Sequence, residues 1–188
     1  LVPKFGTDGI IRIEGGQAES LHPSAIVSKQ EYIIIAGSHS IGLPQYSVRG
    51  RLEKRSKNDG ALVAAFGNQG VILIDAQEIG AMVADDSYFY IAAVDLSLGA
   101  NDPCWHIEKR FLNDGALVPS FGLNGIVTTN PTPDNDHIKT MTLDGNSLYV
   151  VGFSAGSGMA NWRIEKRRLF DGGLVTEFGT GGVITGRK

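Results

Sequence analysis

Apolar residues in this chain occur in short alternating or continuous runs that are separated by turn residues. The clearest example is residues 137–143, which alternate, followed by residues 147–154, which are rich in aromatic and β-branched side chains. Asp144-Gly145-Asn146 lies between these two runs, and a turn of this kind between alternating segments predicts a β-hairpin. No stretch has a convincing helical period. The pattern therefore predicts an all-β fold.

The same pattern predicts four strands in each third of the chain. In chain order, the predicted strands are residues 9–13, 25–27, 32–38, 46–54, 70–75, 79–84, 88–94, 104–111, 125–129, 137–143, 147–154 and 161–169. A loop of small residues, 155–160, separates the last two.

Four segments of the chain align without gaps on the pattern L-V-x-x-F-G-x-x-G-[IV]. They are residues 1–10, 62–71, 117–126 and 174–183. Their phenylalanines lie 61, 55 and 57 residues apart: Phe5, Phe66, Phe121 and Phe178. A second block, L/I-E-K-R followed by D-G, recurs at residues 52–60, 107–115 and 164–172. The chain is thus predicted to be one repeat domain, 1–188, with units 5–65, 66–120 and 121–177 and a partial fourth unit, 178–188.

Tandem units of four antiparallel strands and about 57 residues are typical of β-propeller blades. The predicted fold class is therefore all-β, with tandem four-stranded antiparallel blades in a β-propeller-like arrangement. A β-trefoil is the alternative, because it also repeats four strands three times. Trefoil repeats are usually shorter, and the fourth F-G-x-x-G segment fits that fold poorly.

The F-G-x-x-G element resembles a phosphate-binding loop only superficially, because such a loop precedes a helix and here a strand follows. We interpret it as a tight turn whose Phe fills the space between blades. Its repeated spacing predicts equivalent backbone conformations, some with positive φ, at the first glycines: Gly6, Gly67, Gly122 and Gly179.

In the E-K-R run, neighbouring strand residues point to opposite faces, so Glu and Arg share one face and Lys takes the other. Each Arg precedes an Asp by four residues, which predicts an Arg–Asp pair across the outer hairpin, for example between Arg110 and Asp114. An anion-binding ring of arginines is the alternative role.

These repeats resemble the delta-60 repeat, a propeller-type repeat of bacteria and archaea found mainly in large secreted or surface proteins. The first half of the pattern, R-[aromatic]-x-x-D-G-x-L-x-x-x-F-G-x-x-G, is matched at Arg110, Phe111, Asp114, Gly115, Leu117, Phe121, Gly122 and Gly125. The later half is matched at Asp144, Gly145, Leu148, Val150 and Gly152. The chain departs from the family at the residue after the Leu, which is usually Asp and here is Val2, Val63, Val118 and Val175. The resemblance implies a blade fold and an extracellular or cell-surface location, and it carries no general catalytic motif.

Composition narrows the classes of partner. The formal net charge is −3, which gives no electrostatic reason to expect a nucleic acid. No apolar run is long enough to cross a bilayer, so membrane insertion is not expected. Cys104 is the single cysteine, and the four histidines show no metal-ligand spacing. We therefore expect no metal, no cofactor and no catalytic residues.

Gly is about twice as frequent as usual, with 25 of 188 residues, as a fold with many tight turns requires.

Residues that differ between units are the candidates for function. Trp105 and Trp162 occupy equivalent positions, where the first unit has Gly50, and they are followed by His106 and Arg163. Tryptophan beside a polar side chain could stack a sugar ring or a partner's side chain, or it could fill the gap between blades. The candidate binding residues are therefore Trp105, His106, Trp162 and Arg163.

The sequence favours a non-enzymatic binding or structural module, with carbohydrate or protein as ligand. The alternative is an enzyme domain, a sugar-acting hydrolase or dehydrogenase, whose acidic or His residues would converge on the strand ends near a propeller axis. Propellers need roughly four to eight blades, and residues 9–13 and 182–185 are both interpreted as first strands of a unit. We therefore expect end-to-end assembly, with copies of the chain (two copies would make six blades) or with further blades of a longer parent.

Overall fold

The computed structural model describes residues 5–42, 46–97, 99, 102–156 and 159–186. The described residues form twelve β-strands and no helix, so they contain no helix that could span a membrane. The first four residues of the first repeated segment, and residues 157–158 of the predicted loop, lie outside the described residues. The all-β prediction is confirmed.

The strands form three four-stranded antiparallel sheets, each a simple meander. Sheet I consists of β1 (Glu19–Ser28), β2 (Tyr32–Ile41), β3 (Ser47–Ser56) and β4 (Val71–Ile74). Sheet II consists of β5 (Glu78–Ala84), β6 (Tyr88–Asp95), β7 (Cys104–Phe111) and β8 (Ile126–Thr129). Sheet III consists of β9 (His137–Asp144), β10 (Ser147–Gly156), β11 (Met159–Arg168) and β12 (Val183–Gly186).

The strand after each F-G-x-x-G element completes the sheet that precedes the element. Val71 pairs with Glu53, and Val183 pairs with Glu165, so β4 and β12 are fourth strands of their sheets. The prediction that these strands open a new unit is wrong, and residues 182–185 are not the start of a fourth unit. The tight turn returns the chain to the strand it has just left, and consecutive strands usually pair. Residues 9–13 form no strand, and only an isolated bridge joins Thr7 to Ile10.

The three sheets pack in chain order, with β5 against β1 and β9 against β5. We call the face that each sheet turns toward the preceding sheet its rear face, and the opposite face its front face. Phe89, Ile91 and Ala93 on the rear face of sheet II join a buried core with sheet I. Tyr90 and Ala92 on its front face join a second core with sheet III. Sheet II is therefore covered on both faces.

The F-G-x-x-G turns fill the space between sheets. Phe66 is fully buried, and its ring centroid lies 6.0 Å from that of Phe89 in the next sheet. The amide of Gly67 donates a hydrogen bond to the carbonyl oxygen of Asp114, also in the next sheet. Positive φ at the first glycines is confirmed, with values of 59°, 53°, 56° and 59° at Gly6, Gly67, Gly122 and Gly179.

Replacing Gly122 with Ala should destabilise the fold by about 2–4 kcal/mol. The position has a left-handed backbone, and a Cβ there would meet the carbonyl group of Ile126 and the side chain of Val127. The measurement is the free energy of unfolding from urea denaturation.

Gly181→Asn is the matched control. Gly181 also has positive φ, but a Cβ added there would have no other atom within 4 Å. Non-glycine residues already occupy the equivalent position with φ near 53°, at Asp8, Gln69 and Asn124. We expect a change within about 0.5 kcal/mol. Equal unfolding free energies for Gly122→Ala and the wild type would contradict this account.

Candidate functional site

The four predicted binding residues lie on four different sheet faces, so they do not form one site. Trp105 is fully buried between the front face of sheet II and the rear face of sheet III. Arg163 Cζ lies 5.9 Å from its ring centroid, and a Cβ on Gly152 would lie 2.6 Å from Trp105 Cζ2. Trp105 therefore fills the gap between sheets and is not accessible to a ligand. Trp162, in contrast, is 74% exposed on the front face of sheet III.

His106 and Arg163 lie on rear faces and bind a buried carboxylate of their own sheet. His106 Nε2 is 2.9 Å from Glu108 Oε1, and Arg163 Nε donates to Glu165 Oε1 at 2.7 Å. Both side chains are largely buried and already paired within their own sheet, and their role as binding residues stays a prediction.

The same carboxylates bind the arginines of the E-K-R run. Arg110 donates to Glu108 Oε2 at 2.6 Å and to the carbonyl oxygen of Gly115 at 2.7 Å. The carboxylate of Asp114 instead accepts the amide of Ala116 at 2.9 Å. The predicted Arg110–Asp114 pair is therefore wrong, because the residue two positions away on the same buried face is the closer acceptor. Because these arginines already donate to acceptors of their own sheet, and Arg167 also donates to Thr129 of sheet II, a ring that binds an external anion is not favoured.

Glu108 is almost fully buried, and opposing effects act on its pKa. Burial raises the pKa, but the hydrogen bonds and charges of His106 and Arg110 outweigh burial, and the net pKa is lowered. The carboxylate is thus held ionised between two cation-forming side chains of the same rear face.

Apolar side chains surround Trp162 on the front face of sheet III. Phe153 pairs with Trp162 across β10 and β11, and Val151 and Ile164 lie beside them. The equivalent residues of sheet II, Ala92, Val94, Trp105 and Ile107, are at most 2% exposed. Sheet III covers the front face of sheet II. None of the described residues covers the front face of sheet III in the same way.

The lysine of the E-K-R run joins each sheet to the next. Lys54 Nζ donates to the carbonyl oxygen of Leu112 at 2.6 Å, and Lys109 Nζ donates to that of Leu169 at 2.6 Å. Burial lowers the pKa of both lysines. Lys166 is the equivalent residue of sheet III, and none of the described residues accepts a hydrogen bond from its Nζ.

Sequence reasoning missed this role of lysine, although the signal was present. The recurring Lys lies on the opposite face from Glu and Arg, and a charged residue repeated on a face that is otherwise apolar must have a fixed polar partner.

The rear face of sheet I is the second face that no sheet covers, although residues 5–13 lie over part of it. It contains a groove of about 250 Å³ whose lining includes Ile35, Gly37, Arg51 and Glu53. The corresponding apolar residues of sheets II and III, Ile91 and Val150, are fully buried, whereas Ile35 is only half-buried.

Acidic and histidine side chains converge at one point, at the beginnings of β5 and β9. Glu78 Oε2 lies 4.0 Å from His137 Nδ1, and Asn135 Oδ1 is 2.7 Å from His137 Nε2. Burial and the charge of Lys139 lower the pKa of His137, which favours the neutral imidazole. In the part of the chain that the structure describes, no serine or cysteine side chain hydrogen bonds to His137.

Cys104 is not a candidate nucleophile. It is 1% exposed, and burial, followed by the charges of Asp102, Asp95 and Asp136, raises the pKa of its thiol. Within the described ranges, no group of three or more His, Cys, Asp or Glu side chains is placed to hold a metal ion.

No family model, curated protein or solved structure matches the chain. The functional argument therefore depends on the two uncovered faces and on the repeat pattern.

Replacing Glu108 with Gln should lower the free energy of unfolding at pH 7 by about 3–5 kcal/mol, because Arg110 then lacks its buried counter-charge. The folded-state pKa of Glu108 is lowered, so its stabilisation is complete above the usual glutamate pKa of about 4.3 and is lost as the pH falls through the folded value. The difference between the variant and the wild type should therefore shrink below about pH 4. Urea denaturation across this range measures it.

The control is Glu78→Gln, since that side chain is 61% exposed. We expect a change of less than about 1 kcal/mol at any pH. A pH-independent loss for Glu108→Gln would mean that its charge does not contribute.

Proposed function

We propose that this chain is a non-enzymatic, β-propeller-type binding or structural module of a secreted or cell-surface protein, which assembles end to end with further sheets of its own kind. The location is proposed on the resemblance to the delta-60 repeat. The blade architecture is supported by three separate four-stranded meanders that pack in chain order through their first strands. This arrangement favours blades over the β-trefoil.

A single observation supports the binding role most strongly, namely that Trp162 is 74% exposed whereas its equivalent Trp105 is 0% exposed. The two residues occupy the same position in equivalent sheets. The difference is that sheet II has a following sheet within the chain. A third sheet that carries the same apolar front face is therefore built to receive a neighbour.

The surroundings of Trp162 favour a protein partner over a sugar. Phe153, Val151 and Ile164 lie on the same face, and Ile184 beside them on β12 is 42% exposed. Sugar recognition needs several hydrogen-bonding groups around the stacked ring. These neighbours are apolar, and Lys139 is the one charged side chain that lines the hollow beside Trp162 among the described residues. A flat apolar sheet face is instead complementary to another sheet face.

An enzyme remains the second candidate function, because Glu78 and His137 meet at the strand ends. Glu78 is 61% exposed there, and the adjoining cleft of about 860 Å³ includes Tyr46 and Asn135. This candidate predicts hydrolysis of aryl glycosides that is lost in Glu78→Gln with the fold intact.

A tandem chain tests the proposed function directly. Residue 186 of one copy would continue into residue 15 of a second copy, so that residues 15–18 act as a short linker, like residues 75–77 between β4 and β5. The new interface should make the tandem chain more stable to urea than the single chain, since neighbour interfaces add stability in repeat proteins. Trp162 of the first copy should also become protected from acrylamide quenching.

The position of one substitution within the tandem chain provides the control. Trp162→Ser in the first copy should remove about 3 kcal/mol of unfolding free energy. The same substitution in the second copy, where Trp162 stays at the open end, should change it by less than about 0.5 kcal/mol. Equal effects at both positions, or no stabilisation of the tandem chain, would contradict the proposal.

A further inference from the structure

The interface between sheets II and III shows what a tryptophan on a front face requires. Trp105 lies against Gly152, where a Cβ would approach Trp105 Cζ2 to 2.6 Å. Arg163, which pairs with Gly152 across β10 and β11, places its guanidinium 5.9 Å from the ring centroid. A front face with Trp at this position therefore meets a rear face with Gly and Arg.

The interface between sheets I and II has a different combination. Gly50 replaces the tryptophan, and the side chain of Ile74 takes the space that a Cβ on Gly50 would enter. The facing positions on sheet II, paired with each other across β6 and β7, are Ala93 and His106. A front face without Trp therefore meets a rear face with Ala and His.

The uncovered rear face of sheet I carries the combination that accepts tryptophan. Gly37 pairs with Arg51 across β2 and β3, at the positions of Gly152 and Arg163. A Cβ on Gly37 would meet the backbone of β1, as a Cβ on Gly152 would meet the backbone of β9. Arg51 is held by Glu53 at 2.7 Å, as Arg163 is held by its own glutamate. Among the described residues, Trp162 is the tryptophan that lies on an uncovered front face.

We propose that the front face of sheet III binds the rear face of sheet I of a second copy of this chain, with Trp162 seated against Gly37 and Arg51 of that copy. This inference rests on the proposed function and names the partner of the uncovered face.

The lysine contacts support the same pairing. Lys54 and Lys109 each donate to a turn carbonyl of the next sheet, those of Leu112 and Leu169. In sheet I the equivalent of these residues is Lys57, whose carbonyl would face the docked copy. Lys166 of one copy would thus donate to the carbonyl oxygen of Lys57 in the other.

Residues 5–13 occupy part of this surface and must leave when the second copy docks. Phe5 and Ile11 lie against Gly60, as Phe66 and Ile72 lie against Gly115, so they hold the place that Phe178 of the second copy requires. The amide of Gly6 donates to the carbonyl oxygen of Asp59 at 3.0 Å. The rest of the segment is held less fully than a paired strand, because Ile10 is 56% exposed and the segment forms no strand. By contrast, β12 is paired along its whole length with β11. Residues 5–13 therefore compete with assembly.

Mixing two variants tests the pairing. Trp162→Ser disables the front face, and Ile35→Lys disables the rear face by placing a charge in the groove that Ile35 lines. Each variant alone should be monomeric by sedimentation velocity, whereas the wild type forms species that grow with concentration. An equimolar mixture should form a 1:1 dimer and nothing larger, because each variant retains one complementary face. If the thermal melt of Ile35→Lys differs from that of the wild type, Leu21→Lys in the same groove is used in its place.

A third variant should act in the opposite direction. Ile11→Asp weakens the hold of residues 5–13 and should tighten self-association about 10-fold, because the binding-competent state becomes more populated.

Two results would overturn the inference. One is a wild type and an Ile11→Asp variant that both stay monomeric at every concentration. The other is self-association of Ile35→Lys with the same affinity as the wild type. Neither result changes the expected stabilisation of the tandem chain. A failure of this inference can therefore be told apart from a failure of the proposed function.

Discussion

Every sheet of this chain carries apolar side chains on both faces, and such a sheet is stable only when a neighbour covers each face. Sheet II meets this requirement within the chain, between the cores that it shares with sheets I and III. Burying one tryptophan side chain removes roughly 150–250 Å² of surface from water, which amounts to on the order of 4 kcal/mol. An exposed Trp162 on the front face of sheet III is therefore a substantial unused source of binding free energy.

The E-K-R run explains how charged residues fit between these apolar faces. Because strand residues alternate, Glu108 and Arg110 share the rear face and neutralise each other, while Lys109 crosses to the next sheet and donates to the carbonyl of Leu169. The rear-face pair neutralises its charges within one sheet, and Arg167 in addition donates to Thr129 Oγ1 of the preceding sheet at 2.7 Å. The lysine does the reverse, because Lys54 and Lys109 each donate to a carbonyl oxygen of the following sheet. Repetition of the run thus fixes the order and spacing of the sheets.

Most of the strands could be predicted from the sequence, because alternation and Gly-containing turns are local signals. Positive φ at Gly122 and its equivalents followed from spacing alone. Two predictions failed where the answer depended on which residues come together in space. The sheet to which Val71 belongs could not be predicted, because its sequence does not say which edge it pairs with. Arg110 could not be matched to its partner, because the burial of Glu108 is not visible in the sequence. The same limit applied to Trp105 and Trp162, whose identical contexts in the sequence conceal opposite exposures.

The positions that vary between units determine which sheets can be neighbours. Glycine at Gly152 leaves room that the ring of Trp105 fills, and alanine at Ala93 faces a sheet that has Gly50 in place of the tryptophan. A Cβ at Gly152 would approach Cζ2 of Trp105 to 2.6 Å, so we expect a Trp-bearing front face to fit glycine at this position better than alanine. Core contacts of this kind are specific because packed interiors tolerate little change in volume. In the proposed pairing, Gly37 gives the rear face of sheet I the same glycine as Gly152, and one residue on each of the two facing sheets would select the neighbour.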